Sequence, residues 1–270
     1  MARVVTITSG KGGVGKTTTT ANLGTALAMN GQRVVVVDAD IGLRNLDVVM
    51  GLENRIVYDL VDVVEGRCRL KQAMIKDKRF TDLYLLPAAQ TRDKDAVSPD
   101  DMIELCNNLR DDFDWVLIDS PAGIEGGFRN AIAGADEVVI VTTPEVSAVR
   151  DADRIVGMVE AFDKGHPRLI LNRVRSQMVE RGDMMSKEDV VEILAIDLLG
   201  VVPDDETIIT STNRGEVAVL SETSSAGKAY ANIAQRLLGA DVPILMPTEQ
   251  LSWLDRLFGA IGLRPKRAAR

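Results

Sequence analysis

Gly10-Lys11-Gly12-Gly13-Val14-Gly15-Lys16-Thr17, the stretch GKGGVGKT, separates a β-branched run at Val4–Thr8 from a helix-like segment that opens at Thr17. Its spacing is G-x-x-x-x-G-K-[ST], and its context is strand, turn and helix, as a phosphate-binding loop requires. Glycines at these positions let backbone N–H groups wrap a phosphate without side-chain clashes. The N-terminus of the following helix directs its partial positive charge at the same anion. Lys16 is placed to reach β- and γ-phosphates, and the Thr17 hydroxyl to coordinate Mg²⁺. Gly10, Lys11, Gly12, Gly13, Val14, Gly15 and Thr18 complete the expected nucleotide-binding set. The competing reading is a glycine-rich turn without a ligand, and the agreement of spacing with context weighs against it.

Outward from this loop, short apolar runs alternate with helical patterns. Strands are expected at Val4–Thr8, Val34–Asp38, Leu83–Leu86, Trp115–Asp119, Val138–Thr142, Leu169–Asn172 and Leu199–Val202. Several are apolar at consecutive positions, as strands covered on both faces are. Helical stretches such as Thr17–Met29, Val146–Phe162, Lys187–Leu194 and Ala226–Leu238 lie between them. The pattern predicts an α/β fold, a doubly wound, mostly parallel sheet with helices on both faces, whose ligands bind at the carboxyl ends of the strands. Asp38-Ala39-Asp40 ends the second strand and Asp119 ends Trp115–Asp119, so three carboxylates arrive at that edge. An acid ending an apolar strand holds Mg²⁺ directly or through water, which makes Asp38 and Asp119 metal candidates beside Thr17. Each could also do no more than terminate its strand.

The remaining composition narrows the function by exclusion. A net charge of −8 over 270 residues argues against non-specific nucleic-acid binding by the whole surface. Cys68 and Cys106 stand alone, without CxxC or a neighbouring His, which fits a reducing compartment and not a metal site. His166, beside Pro167, reads as a surface residue. No apolar run is long enough to span a membrane, and Met-Ala-Arg leads straight into a strand with no targeting segment expected.

Domain organisation follows from where the pattern stops. Residues 1–240 form the predicted nucleotide-binding domain, and 241–250, with Pro243 and Pro247, a linker. Residues 251–263 form a separate helix and 264–270 a basic tail. At about 100° per residue, Leu251, Trp253, Leu254, Leu257, Phe258 and Ile261 share one face. Arg264, Lys266, Arg267 and Arg270 follow at once. A short helix of this kind fits an interfacial anchor on an anionic membrane. Docking of the stripe on its own domain is the alternative.

A second lysine, Lys11, occupies a position where an ordinary phosphate loop needs no charge. The form KGGVGKT resembles the deviant Walker-A ATPases of the ParA/MinD family. Within that family the chain is similar to the MinD branch through DADIGLRNLDVVMG (Asp38–Gly51), AAQTRDKDAV (Ala88–Val97), IDSPAGIEGG (Ile118–Gly127), TPEVSAVRDADRIVG (Thr143–Gly157) and RGDMMSKEDVVEIL (Arg181–Leu194). The resemblance implies ATP and Mg²⁺ as cofactors and an ATP-bound homodimer in which Lys11 reaches the partner's phosphates. By the same resemblance Asp40 orients or deprotonates the attacking water, the Ser120–Gly123 turn senses the γ-phosphate, and Asn172 and Pro203 contact adenine. No NKxD guanine reader occurs. Arg150, Asp151, Asp153 and Arg154 fall where the family docks a MinC-like division inhibitor and a MinE-like ATPase activator, although a solvated helix face explains them too. The implied location is the cytoplasm, peripheral on the inner face of the cell membrane, and the implied role is division-site (septum) placement. A ParA-like ATPase partitioning DNA or other cargo is the alternative, with no specific nucleic acid expected on the first reading. An iron–sulfur scaffold is a more remote one.

Overall fold

The computed structural model describes residues 2–124 and 126–246, except for the side chain of Lys94. The expected amphipathic helix with Leu251, Trp253, Leu254, Leu257, Phe258 and Ile261, and the basic tail, lie outside the described residues, as do residues 247–250 of the expected linker.

Among the described residues the centre is an eight-stranded sheet. Its strands are β1 (Arg3–Thr8), β2 (Val34–Asp38), β3 (Ile75–Lys76), β4 (Leu83–Leu86), β5 (Trp115–Asp119), β6 (Glu137–Thr142), β7 (Arg168–Val174) and β8 (Asp197–Pro203). They lie side by side in the order β3-β4-β2-β5-β1-β6-β7-β8. Every neighbouring pair is parallel except β3 with β4. The β2 sequence Val-Val-Val-Val-Asp is buried at all five positions, because alternate side chains serve cores on opposite faces. Val34 and Val36 pack with Val5, Ile7 and Leu117 under the helices Lys16–Met29 and Ser225–Leu237. Val35 and Val37 join Val4, Val116 and Ile118 under the helix Pro99–Arg110. A third cluster seats the helices Val146–Ala161 and Lys187–Leu194 on Ile140, Leu169 and Val201.

The expected doubly wound architecture is therefore present, with additions that periodicity does not reveal. β3 is two residues long, too short for an alternation signal, and it covers the outer edge of β4 in antiparallel register. The helix Pro99–Arg110 is announced by a capping box, Ser98 and Asp101 each satisfying the other's backbone N–H. At the far end, residues 241–246 are tied to the body: Asn232 donates to the Pro243 carbonyl at 3.0 Å, and Ile244 packs against the third cluster.

The strand order puts β1 between β5 and β6, with the chain leaving β1 for β2 beyond β5. The loop after β1 thus opens at the carboxyl edge where connections diverge to both sides, the place such sheets keep for ligands.

Candidate functional site

Gly10–Gly15 connects β1 to the helix Lys16–Met29 through two left-handed positions, Gly13 and Gly15, that glycine adopts without strain. Gly15, immediately before the helix, has φ +98°, and a Cβ there would lie 2.2 Å from Asn172 Nδ2. That amide, on buried β7, donates to the Val14 carbonyl at 2.7 Å and fixes the inner side of the loop. On the outer side Gly12 and Gly13 face open space, leaving their backbone accessible to an anion. Lys11 Nζ, half-exposed, donates to Ser147 Oγ at 3.2 Å and lies 3.8 Å from the Glu145 carboxylate.

Beneath the loop is a buried charge cluster. Lys16 Nζ is 3.1 Å from Asp119 Oδ1, with side chains only 8% and 1% exposed. Thr20 Oγ1 donates to the same oxygen at 3.3 Å. Asp38 stands opposite Asp119 in the β2–β5 register. Its carboxylate accepts backbone N–H groups of Asp40, Asn45 and Leu46 at 3.0, 3.1 and 3.1 Å. Burial, and then the charge of Asp119, push Asp38 up to about 7 in spite of those donors. Asp40 follows, half-buried, and its carbonyl accepts from Leu43 and Arg44. The Ser120–Gly123 turn is fastened to the end of β1: Ser120 Oγ donates to Thr8 Oγ1 at 2.9 Å and Gly123 N to the Ser9 carbonyl at 3.0 Å.

Beside the loop lies a cleft of about 950 Å³. Gly15, Thr18, Asn172 and Pro203, far apart in sequence, line it together, as do Tyr230 and Met178. Sequence reasoning did not assign the last two. Nor did it assign Asp205, another lining residue, whose Oδ2 accepts from Ser224 Oγ, Ser225 Oγ and Ala226 N at 2.8, 3.0 and 3.0 Å and so caps the helix Ser225–Leu237. Only the short polar run Ser221–Ser225 before an apolar helix could have pointed to it.

Of the four expected partner-binding residues, Arg150, Asp153 and Arg154 are exposed on the helix Val146–Ala161. Asp151 is half-buried and pairs with Arg154 at 3.5 Å. Among the described residues no group of three or more His, Cys, Asp or Glu could hold a metal unaided. A cation here would need phosphate oxygens, water and the half-buried Thr17 hydroxyl as well as carboxylate. That shared shell suits Mg²⁺, which keeps waters and binds through one or two carboxylates plus phosphates.

Comparison with known proteins agrees with this geometry. The profile of the CobQ/CobB/MinD/ParA nucleotide binding domain matches residues 5–219. The septum site-determining protein MinD of Bacillus subtilis (strain 168) is 58% identical over 252 residues, covering 93% of this chain and 94% of that one. The chain belongs to the MinD family. Among solved structures, the MinC:MinD cell division protein complex of Aquifex aeolicus superposes with a TM-score of 0.85 at 47% identity, covering 91% of this chain and 99% of that one. The septum site-determining protein MinD of Pyrococcus horikoshii OT3, complexed with Mg-ADP, gives 0.79 at 32%, covering 90% and 100%. As a MinD-family chain the protein is a P-loop ATPase of division-site placement. The loop, the buried lysine–aspartate pair and the cleft are the parts such an ATPase needs.

Proposed function

We propose that the chain binds Mg²⁺–ATP as a homodimer, that this dimer holds the membrane, and that hydrolysis releases it. Lys16 leaves Asp119 for the phosphates, the exposed N–H groups of Gly12 and Gly13 wrap them, and Asn172, Thr18 and Pro203 frame the base. Mg²⁺, when bound beside Thr17, Asp38 and Asp119, supplies charge neutralisation on the β- and γ-phosphate oxygens. Asp40 aligns the attacking water and accepts its proton, while the Ser120–Gly123 turn registers the γ-phosphate.

The observation that carries the dimer is the position of Lys11. It extends from the outer side of the loop, 44% exposed, with the surface residues Ser147 and Glu145 as its partners among the described residues. A cation so placed is free to swing to a second copy's phosphates and act as a finger supplied in trans. Each copy carries the sequence Leu251–Ile261, read above as an apolar stripe, followed by basic residues. One such anchor binds lipid weakly, whereas two on one dimer gain by avidity. A MinC-like inhibitor and a MinE-like activator would dock around Arg150, Asp151, Asp153 and Arg154. The MinC:MinD complex solved from Aquifex aeolicus supports the first of these partners. The working site is then the inner surface of the cell membrane.

Sedimentation with anionic vesicles tests the reading. Pelleting with Mg²⁺–ATP, and little with Mg²⁺–ADP or no nucleotide, is expected. Equal pelleting in all three conditions removes the switch.

A further inference from the structure

The loop between Asp38 and the short helix Leu46–Met50 carries Asp40, and its shape is held by an unusual pair. Arg44, in the middle of that loop, has φ +28°, a backbone conformation that a β-carbon disfavours. Its side chain folds back so that Nε lies 3.0 Å from Asp47 Oδ2. Asp47 is 1% exposed; burial pushes its carboxyl up, and the charge of Arg44 and the backbone N–H groups of Val48 and Asp47 oppose that rise. Arg44 is the charged partner of this buried carboxylate. If stability were the only matter, two apolar side chains of similar volume would serve as well or better. The pair stands beside two fastenings of the loop: Arg44 N donates to the Asp40 carbonyl at 3.1 Å, and Asn45 N donates to Asp38 at 3.1 Å. Gly42 N completes the fastening, to the Ala89 carbonyl at 2.8 Å.

We propose that Arg44 and Asp47 are positioning residues for hydrolysis, a buried electrostatic clip that holds the Asp40 loop in the shape that aims the Asp40 carboxylate at water. This rests on the role given above to Asp40. Without the clip, Arg44 relaxes out of the left-handed region. The Asp40 carbonyl then loses one of its two donors, and the carboxylate is held less firmly relative to the phosphate loop. Asp38 keeps the N–H groups of Asp40 and Leu46 and Gly42 keeps the Ala89 carbonyl, so the base of the loop stays in place and nucleotide binding persists.

The test is Mg²⁺–ATP hydrolysis by the full chain on anionic vesicles, with kcat and KM measured separately. Asp47→Asn and Arg44→Asn are expected to lower kcat by about 10- to 100-fold and to leave KM within about twofold. Asn keeps the left-handed backbone accessible, so the second variant removes charge without adding strain. Arg44→Lys should recover part of the loss, and the double variant Arg44→Asn/Asp47→Asn should be no worse than the poorer single. Undiminished kcat in both singles overturns the clip. So does a rise in KM at constant kcat, or losses that multiply in the double variant. If Asp47→Asn does not fold, the Arg44 variants decide the matter, because that side chain is 19% exposed. Asp40→Ala separates the two layers. Full hydrolysis by that variant removes the Asp40 role and the clip together, whereas its inactivity beside an active Asp47→Asn removes only the clip.

Discussion

Gly10 lies against the backbone of Asp151, so closely that a β-carbon on it would come within 2.3 Å of the Asp151 carbonyl carbon and oxygen. The first residue of the phosphate loop therefore touches the helix that carries Arg150, Asp153 and Arg154. Backbone cannot yield as a flexible side chain can, so Gly10→Ala must displace either the loop or the helix. Nucleotide affinity is expected to fall at least about tenfold, with about 1–3 kcal/mol of stability lost. Calorimetric titration with a non-hydrolysable ATP analogue and urea unfolding measure the two effects. An affinity equal to that of the parent chain contradicts the contact.

Lys16→Met removes the cation that faces Asp119 inside the protein. Breaking a buried pair by deleting one partner costs about 3–5 kcal/mol, so this variant should be less stable without nucleotide and should not bind ATP. Urea unfolding with and without nucleotide checks both. Stability equal to the parent's means that Lys16 does not compensate Asp119 in the free protein.

Lys11→Ala should behave in the opposite way. Its contacts with Glu145 and Ser147 are at the surface, where an ion pair contributes roughly 0–1 kcal/mol, so the monomer's stability should hardly move. ATP-dependent dimerisation, followed by sedimentation velocity, should disappear. A dimer that persists removes the argument from the second lysine.

Asn172→Ala takes away both the Val14 fastening and a wall of the cleft. Stability should drop by about 1 kcal/mol, the ordinary worth of a hydrogen bond, while the ratio of ATP to GTP affinity should fall. Fluorescent analogues of the two nucleotides, titrated in parallel, read that ratio. If both affinities fall equally, Asn172 shapes the loop and does not select the base.

Asp205 sets an acid limit on stability. Burial by itself would raise its carboxyl, but the N–H of Ala226, the N–H of Thr207 and the Ser224 hydroxyl outweigh burial and hold it far below the ordinary carboxylate value. A carboxyl depressed in the folded state stabilises above its unfolded value and loses that contribution as pH falls. The window therefore lies below about pH 4, the unfolded Asp value. Asp205→Asn should cost about 2 kcal/mol at neutral pH and should flatten the fall in stability on acidification. Urea midpoints across that range, parent against variant, check the sign. A parallel fall in both places the acid sensitivity elsewhere.

The parts of this fold visible in sequence are those that local pattern encodes. GKGGVGKT, the all-valine β2 and the acids ending β2 and β5 each announce themselves within a few residues, because spacing and burial are local there. The contacts that finish the site join distant positions. Asn172 reaches Val14, Gly10 meets Asp151, and Asp205 caps a helix some turns farther along. None leaves a periodic trace, since each depends on which strands become neighbours. Arg44 is illegible for a different reason: a left-handed backbone at a charged residue runs against propensity, and the buried Asp47 it meets is recognisable only in the fold.

The place of β1 in the sheet also bears on how the chain is made. Of the eight described strands this one is made first, yet its neighbours in the sheet are β5 and β6, so its pairing in the sheet waits until Trp115–Asp119 and Glu137–Thr142 have been synthesised. Through that interval the nascent chain carries an apolar strand with both rows of backbone donors and acceptors open, the kind of segment that other chains and holding chaperones capture. The cleft beside the phosphate loop comes later still: Asn172 and Pro203 line it, so it takes shape only after β8 has joined the sheet.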